Sequence, residues 1–183
     1  MTSVNKNLAI LFPGVSYNTD QPLFYYAELK YYLKGYKIIK IDYGDCLQTA
    51  TSFDKGIESI KEFVAKQVSD IDFSAYQDIV FISKSVGSII AGWLENELNA
   101  EQIRHIYLTP IEKTLEYISS GKNISIVIAG TDDKYLASSV LKEHCADENV
   151  RLELIEGADH SLEVPGDMSV NIDILKRIVT LYK

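Results

Sequence analysis

Several things are scarce in this chain, and each scarcity removes a class of function. Two cysteines, Cys46 and Cys145, lie far apart in 183 residues and in no metal-ligand spacing. A disulfide scaffold and a cysteine-built metal site are thereby excluded, and two spare thiols in a reducing compartment are expected. Basic residues are outnumbered by acidic ones, 18 to 26, for a formal net charge of −8. No lysine or arginine cluster offsets that balance, so nucleic acid is not an expected partner. No run approaches the 18 or so apolar residues of a membrane span, and Met1–Asn7 has no signal-peptide pattern, so a cytoplasmic protein that does not engage membrane is expected. No repeat of solenoid length and no low-complexity segment interrupts the chain. Histidine is also scarce, with three in all, which shortens any search for a general base.

What is present is enough apolar material, 46% of residues, for one well-buried core, and residues 1–183 are read as a single domain. Short β-rich runs alternate with helix-period runs from end to end, the pattern of a mostly parallel sheet covered by helices on both faces, an α/β/α sandwich of three layers. Six strands are predicted, near Leu8–Phe12, Lys37–Asp42, Ile79–Ile82, His105–Leu108, Ser125–Ala129 and Arg151–Ile155. Pro22 opens a helix closed by Gly35, with Leu23, Tyr26, Leu29 and Leu33 at helical spacing. Within that helix and its end, Tyr25, Tyr26, Tyr31, Tyr32 and Tyr36 read mostly as packing, with Tyr25 and Tyr32 on a wetter side as a contact patch. Phe53–Val68, Val86–Leu98, Glu112–Ser120, Leu136–Cys145 and Ser169–Tyr182 supply the remaining helices, the last burying Ile174, Ile178 and Leu181 or Tyr182. The longer irregular pieces, Gly14–Gln21, Tyr43–Ser52 and Ala158–Met168, include loops that leave the carboxyl ends of strands, where ligands bind in an open parallel sheet.

The most informative stretch is Asp78–Gly92, where a buried-strand run turns directly into a helix through Ser85. A sharp strand-to-helix turn holds a serine hydroxyl clear of the chain, and it requires small residues two before and two after; these are Ser83 and Gly87. Gly87, Ser88, Ala91 and Gly92 let the following helix approach the sheet and aim its N-terminus at the serine, where an oxyanion is welcome. Among the histidines, His105 begins a strand and His144 ends a helix, so both read as packed or surface residues. His160 stands in a loop just after the sixth strand, in reach of Ser85, and is the candidate base. An acid to fix its tautomer comes from the fifth strand, whose glycine turn delivers Asp132 and Asp133. Either can instead cap a turn; Asp133, three residues past Gly130, is favoured. Glu112 is a weaker alternative acid, and Asp159 is read as shaping the histidine loop.

In this combination the chain resembles a small α/β-hydrolase-fold protein, over nearly its whole length. In that fold the nucleophile follows one strand, the acid a strand two further on and the histidine the strand after that, the order found here in Ser85, Asp133 and His160, and Gly130-Thr131-Asp132-Asp133 is similar to the family's Gly-x-x-Asp acid loop. The elbow departs from the family in reading Ser83-x-Ser85-x-Gly87 rather than Gly-x-Ser-x-Gly, and the family's His-Gly after the first core strand is here Pro13-Gly14. The resemblance implies the sheet order 2-1-3-4-5-6, an oxyanion hole formed by the N–H groups of Val15 and Val86, and a cleft without a lid. It also implies a serine hydrolase acting on a small ester, thioester or amide through an acyl-enzyme, needing no cofactor or metal. The loop Val15–Gln21, with Tyr17 foremost, the turn Thr109-Pro110-Ile111 and Leu136 are expected to wall the cleft, with Tyr17, Thr109 and Leu136 at the substrate. Tyr17 is open between orienting substrate and packing on the next helix, and Lys84 is read as a solvated or structural lysine before an anion binder. A binding module of the same fold without catalysis is the rival. A nucleotide-binding doubly wound domain is disfavoured, since no Gly-x-x-x-x-Gly-Lys-Ser/Thr occurs. Oligomeric state and substrate identity are not encoded in any motif.

Overall fold

The computed structural model describes residues 6–98, 100 and 103–183; the leaderless reading of Met1–Asn5 lies outside them. Six strands, β1 (Asn7–Phe12), β2 (Tyr36–Lys40), β3 (Asp78–Lys84), β4 (Ile103–Leu108), β5 (Ile124–Gly130) and β6 (Leu152–Ile155), form one sheet in the order β2-β1-β3-β4-β5-β6. Every neighbouring pair is parallel. Helices α1 (Pro22–Leu33), α2 (Phe53–Val68), α3 (Val86–Leu98), α4 (Ser138–Asp147) and α5 (Met168–Leu181) supply the crossovers. Among the described residues no helix is long and apolar enough to cross a membrane.

The strand period of two divides the core between the faces. Ile10, Phe12, Ile79 and Phe81 meet α2 and α3 on one side, where Ile57, Ile60, Ile90 and Leu94 close over them. Val127 and Ala129 continue that face under α4 through Leu141 and Cys145. Leu11, Val80, Ile82, Leu108 and Ile128 point the other way, against Phe24 and Tyr31 of α1 and Ile174, Ile178 and Tyr182 at the chain's end. Each such side chain contributes on the order of 1.5–3 kcal/mol when removed from water.

Three expectations about elements are corrected. The buried face of α1 is Leu23, Phe24, Ala27 and Tyr31, not the Leu23-Tyr26-Leu29-Leu33 stripe; Leu33 is 75% exposed. The helix is apolar nearly all round, so spacing alone does not choose its face. That choice is made by tertiary bonds to the C-terminal segment, the Tyr31 hydroxyl donating to the Lys183 carbonyl and Lys30 to that of Val179. Tyr25 and Tyr32 are exposed as expected. The predicted helix Glu112–Ser120 is a 3-10 segment, Glu112–Tyr117, whose Tyr117 ring occupies the space a side chain would need at Gly92 of α3. The predicted helix Leu136–Cys145 begins at Ser138 rather than Leu136, which returns Leu136 to the core.

Parallel order places the carboxyl ends of β1, β3, β4, β5 and β6 along one edge. The order reverses between β1 and β3, and the chain leaves β1 toward one neighbour and β3 toward the other. Ser85 stands at that point, one residue beyond β3.

Candidate active site

The elbow is built from what its neighbours leave room for. Ser85 adopts φ +54°, a left-handed conformation uncommon outside glycine and costing about 1–3 kcal/mol unless surroundings enforce it. They do: its N–H donates to the Leu108 carbonyl of β4, and its carbonyl accepts from Ser88. Ser83 is fully buried, its hydroxyl 3.4 Å from that of Ser88. A Cβ at Gly87 would strike the Phe12 and Pro13 carbonyls. The small-residue requirement at both positions therefore comes from the close approach of α3 to the end of β1.

Ser85 Oγ lies 2.9 Å from His160 Nε2. His160 Nδ1 lies 2.8 Å from Asp133 Oδ2. The Asp133 side chain is only 2% exposed, and its other oxygen accepts from the Tyr135 N–H at 2.9 Å. Asp132, by contrast, is exposed and its carboxylate accepts from the Thr131 hydroxyl. In the turn that follows β5 it is Asp133 whose side chain faces the histidine. The two loops are fastened together: Asp132 N–H donates to the Ala158 carbonyl, Thr131 N–H to that of Ile155, and the Gly157 N–H to the Thr131 hydroxyl. Gly130 permits this, since a Cβ there would meet the Ala158 carbonyl. Asp159 shapes the histidine turn, its carboxylate accepting from the Ser161 and Glu163 amides. The Tyr135 ring covers His160 with centroids 4.4 Å apart.

Val15 and Val86 both line the cavity that holds Ser85, a space of about 260 Å³. Val86 opens α3, so its N–H has no carbonyl partner one turn back within the helix. Gly14 N–H donates to the Tyr17 carbonyl, which puts Val15 and Ser16 at the exposed tip of a tight turn beside the nucleophile. Tyr17, Gln21, Phe53, Ile111 and Tyr135 complete the walls. Tyr17 packs on the next helix and also lines the cavity. Its ring faces the cavity while its hydroxyl accepts from the Leu23 N–H, and burial pushes that hydroxyl up to about 12.

Two expected wall residues are not walls. Thr109 is fully buried, held at φ +39°, and engaged with Lys84, and of the expected turn it is Ile111 that lines the cavity. Leu136 packs in the core, and its neighbour Tyr135 takes the cavity position. Phe53, at the start of α2, carried no sequence signal for the site. Lys84 is not solvated. It is 1% exposed, with its ammonium donating to Thr109 Oγ1 and to the His160 carbonyl and lying 5.0 Å over the Tyr17 ring. Burial lowers it to about 8, against the pull of Asp133, Asp159 and Glu163. Of the other histidines, His105 is sealed in the core between Phe81 and Tyr107, and His144 Nε2 bonds the Ile118 carbonyl. Glu112 is exposed on its 3-10 segment, outside the cavity.

No family model and no curated protein matches the sequence. Solved structures do. A Xanthomonas campestris protein assigned to the α/β hydrolase superfamily superposes with a TM-score of 0.71 at 13% identity, over 96% of this chain and 97% of the other. The chain has the α/β-hydrolase fold. The same fold relates it to an α/β serine hydrolase homologue from Coxiella burnetii, with a TM-score of 0.60 at 13% identity over 97% and 85% of the two chains. It also relates it to a lidless α/β serine hydrolase from Xanthomonas campestris, with a TM-score of 0.62 at 14% identity over 98% and 82%. At such identities the likeness is one of fold; chemistry rests on the residues at the carboxyl edge.

Proposed function

We propose that this α/β-hydrolase-fold protein is a serine hydrolase that cleaves a small ester, thioester or amide through an acyl-enzyme. The hydrogen-bond chain Ser85 Oγ, His160 Nε2, His160 Nδ1, Asp133 Oδ2, at 2.9 and 2.8 Å, is the observation that carries the reading. His160 takes the hydroxyl proton as Ser85 Oγ bonds to the substrate carbonyl carbon, and Asp133 steadies the imidazolium. The carbonyl oxygen, now an oxyanion, accepts from the Val86 N–H at the N-terminus of α3 and from the Val15 N–H in the turn after β1. His160 returns the proton to the leaving group as the carbon–heteroatom bond breaks. A water then attacks the acyl-serine by the same route, with its proton passing through His160 to Ser85 as the acid leaves. No step calls for a metal or organic cofactor. The acidic surface and the small open cavity favour soluble small-molecule substrates over nucleic acid or membrane, and a cytoplasmic site of action.

The test is fluorophosphonate labelling read as adduct mass with peptide mapping, beside hydrolysis of p-nitrophenyl acetate. A single adduct on Ser85 of the wild type, absent in Ser85→Ala and in His160→Ala, is expected. A folded wild type that takes no adduct and turns over no ester would move the assignment to a binding module of the same fold.

A further inference from the structure

A second concavity, about 420 Å³, runs alongside the Ser85 cavity between the start of α1, the histidine loop and α5. Its surface is made by Pro22, Leu23, Leu162, Met168, Ile172 and Leu175. Tyr17, Ser161 and Glu163 line both spaces, so the groove opens beside the nucleophile with the Tyr17 ring as the partition.

The polar side chains of the groove are mostly committed to backbone. Tyr17 OH accepts from Leu23 N–H. Asp167 caps α5 by accepting from Val170 N–H. Asn171 accepts from the Val164 N–H and donates to the Val164 carbonyl, clamping the loop that forms one wall. A sugar, a nucleotide or a polar peptide would lose water there and find few groups with which to replace it. The wall itself is held in an unfavourable conformation: Leu162 is buried at φ +63°, fixed by its N–H to the Asp159 carbonyl. Glu163 at the junction and Asp167 at the rim are carboxylates that repel an anionic chain end.

We propose that this groove receives the unbranched apolar chain, several carbons long, of a neutral ester whose carbonyl lies at Ser85. The inference rests on the serine-hydrolase reading and names its substrate class. Each methylene that enters should raise kcat/KM about fourfold, and a carboxylate at the chain end should abolish the gain.

Two straight-chain series decide it: p-nitrophenyl esters from acetate to octanoate, and alkyl acetates from ethyl to octyl. A rise in kcat/KM along either series is expected, and the series that rises tells whether acyl group or leaving group enters. Ile172→Glu should lower the octanoate-to-acetate ratio (or octyl-to-ethyl) at least tenfold, whereas Val140→Glu on distant α4 should leave that ratio alone. Both series flat, with Ser85 still labelled by fluorophosphonate and acetate still cleaved, would overturn the groove and leave the hydrolase reading standing. If Ser85 takes no label, the hydrolase reading falls by itself. Amide NMR of Ser85→Ala titrated with p-nitrophenyl octanoate then judges the groove: shifts at Leu162, Gly166, Met168 and Ile172 support apolar-chain binding, and their absence overturns it.

Discussion

Lys84→Met separates holding the site from holding the fold. Burial of Lys84 lowers its pKa from 10.5 to about 8, a difference of about 3 kcal/mol against the ammonium at neutral pH. Its partners are neutral, Thr109 Oγ1 and the His160 carbonyl, and that difference already contains what its bonds to them return. Methionine fills similar volume and removes the burial cost. It also leaves the His160 carbonyl unpaired, at about 1–3 kcal/mol. Loss and gain nearly cancel, so the urea midpoint should move by no more than about 2 kcal/mol in free energy. Activity should not be spared, because the lost bond fixes the backbone of the residue whose ring must reach Ser85. Displacement of about 1 Å costs roughly a hundredfold, so kcat for p-nitrophenyl acetate should fall ten- to a hundredfold, with KM little changed and the His160 ring resonances shifted. The pH dependence carries its own sign. Between about pH 8 and 10.5 the unfolded lysine holds a proton that the folded one has released, so stability climbs with pH through that window. From pH 7 to 9 the climb is about 1 kcal/mol in the wild type and absent in the variant. Above pH 10 buried tyrosines such as Tyr17, raised to about 12, reverse the trend, which is why pH 9 is the upper point. A kcat within twofold of wild type in a folded Lys84→Met protein would refute the brace.

Asp133→Asn should cost on the order of 10⁴ in kcat by releasing the histidine tautomer, whereas Asp132→Asn should stay within about threefold; ester kinetics on the two purified proteins compare them directly. Gly87→Ala places a methyl against the Phe12 and Pro13 carbonyls. It should lose about 1–3 kcal/mol of stability by urea unfolding and slow Ser85 labelling in the fraction that folds.

The strands and the elbow were legible because their determinants are local: apolar runs of strand length, a serine at the strand-to-helix turn, and small residues two positions to either side; the strand order came from the family resemblance that these raise. The choice of Asp133 over Asp132 was harder, since both follow Gly130 and either can cap a turn; the acid-loop resemblance favoured the residue that the structure turns toward His160. What could not be read depended on partners distant in sequence. The face of α1 is selected by Lys183 and Val179 at the far end of the chain. Tyr135 rather than Leu136 reaches the cavity because a turn end shifts by a single residue, and one residue reverses a side chain; within the Thr109–Ile111 turn it is Ile111 that reaches the cavity while Thr109 is buried. Lys84 reads as solvated or structural, and the sequence does not choose between them because lysine is almost never fully buried. Its burial follows from lying between β4 and the histidine loop, which no window around Ser85 contains.

Among the described residues four that are not glycine adopt left-handed backbone, Ser85, Thr109, Asn149 and Leu162. Asn149 has an ordinary cause, since it follows the last turn of α4, where a left-handed residue commonly ends a helix. The other three sit where the sheet's carboxyl edge meets the proposed chemistry: the nucleophile, the threonine that receives Lys84, and the wall of the apolar groove. β-Branched Thr109 and bulky Leu162 are poorly suited to that conformation by themselves, so it must be enforced by what surrounds them. Thr109 is held by its N–H to the Ile128 carbonyl and by Lys84, and Leu162 by the Asp159 turn. Strain at these three places and a charge buried at Lys84 are all costs, and a sheet packed on both faces can carry them. Relaxing any one, by glycine at Thr109 or Leu162 or methionine at Lys84, should therefore affect activity out of proportion to stability. The same relaxation at Asn149, by glycine, should leave activity untouched.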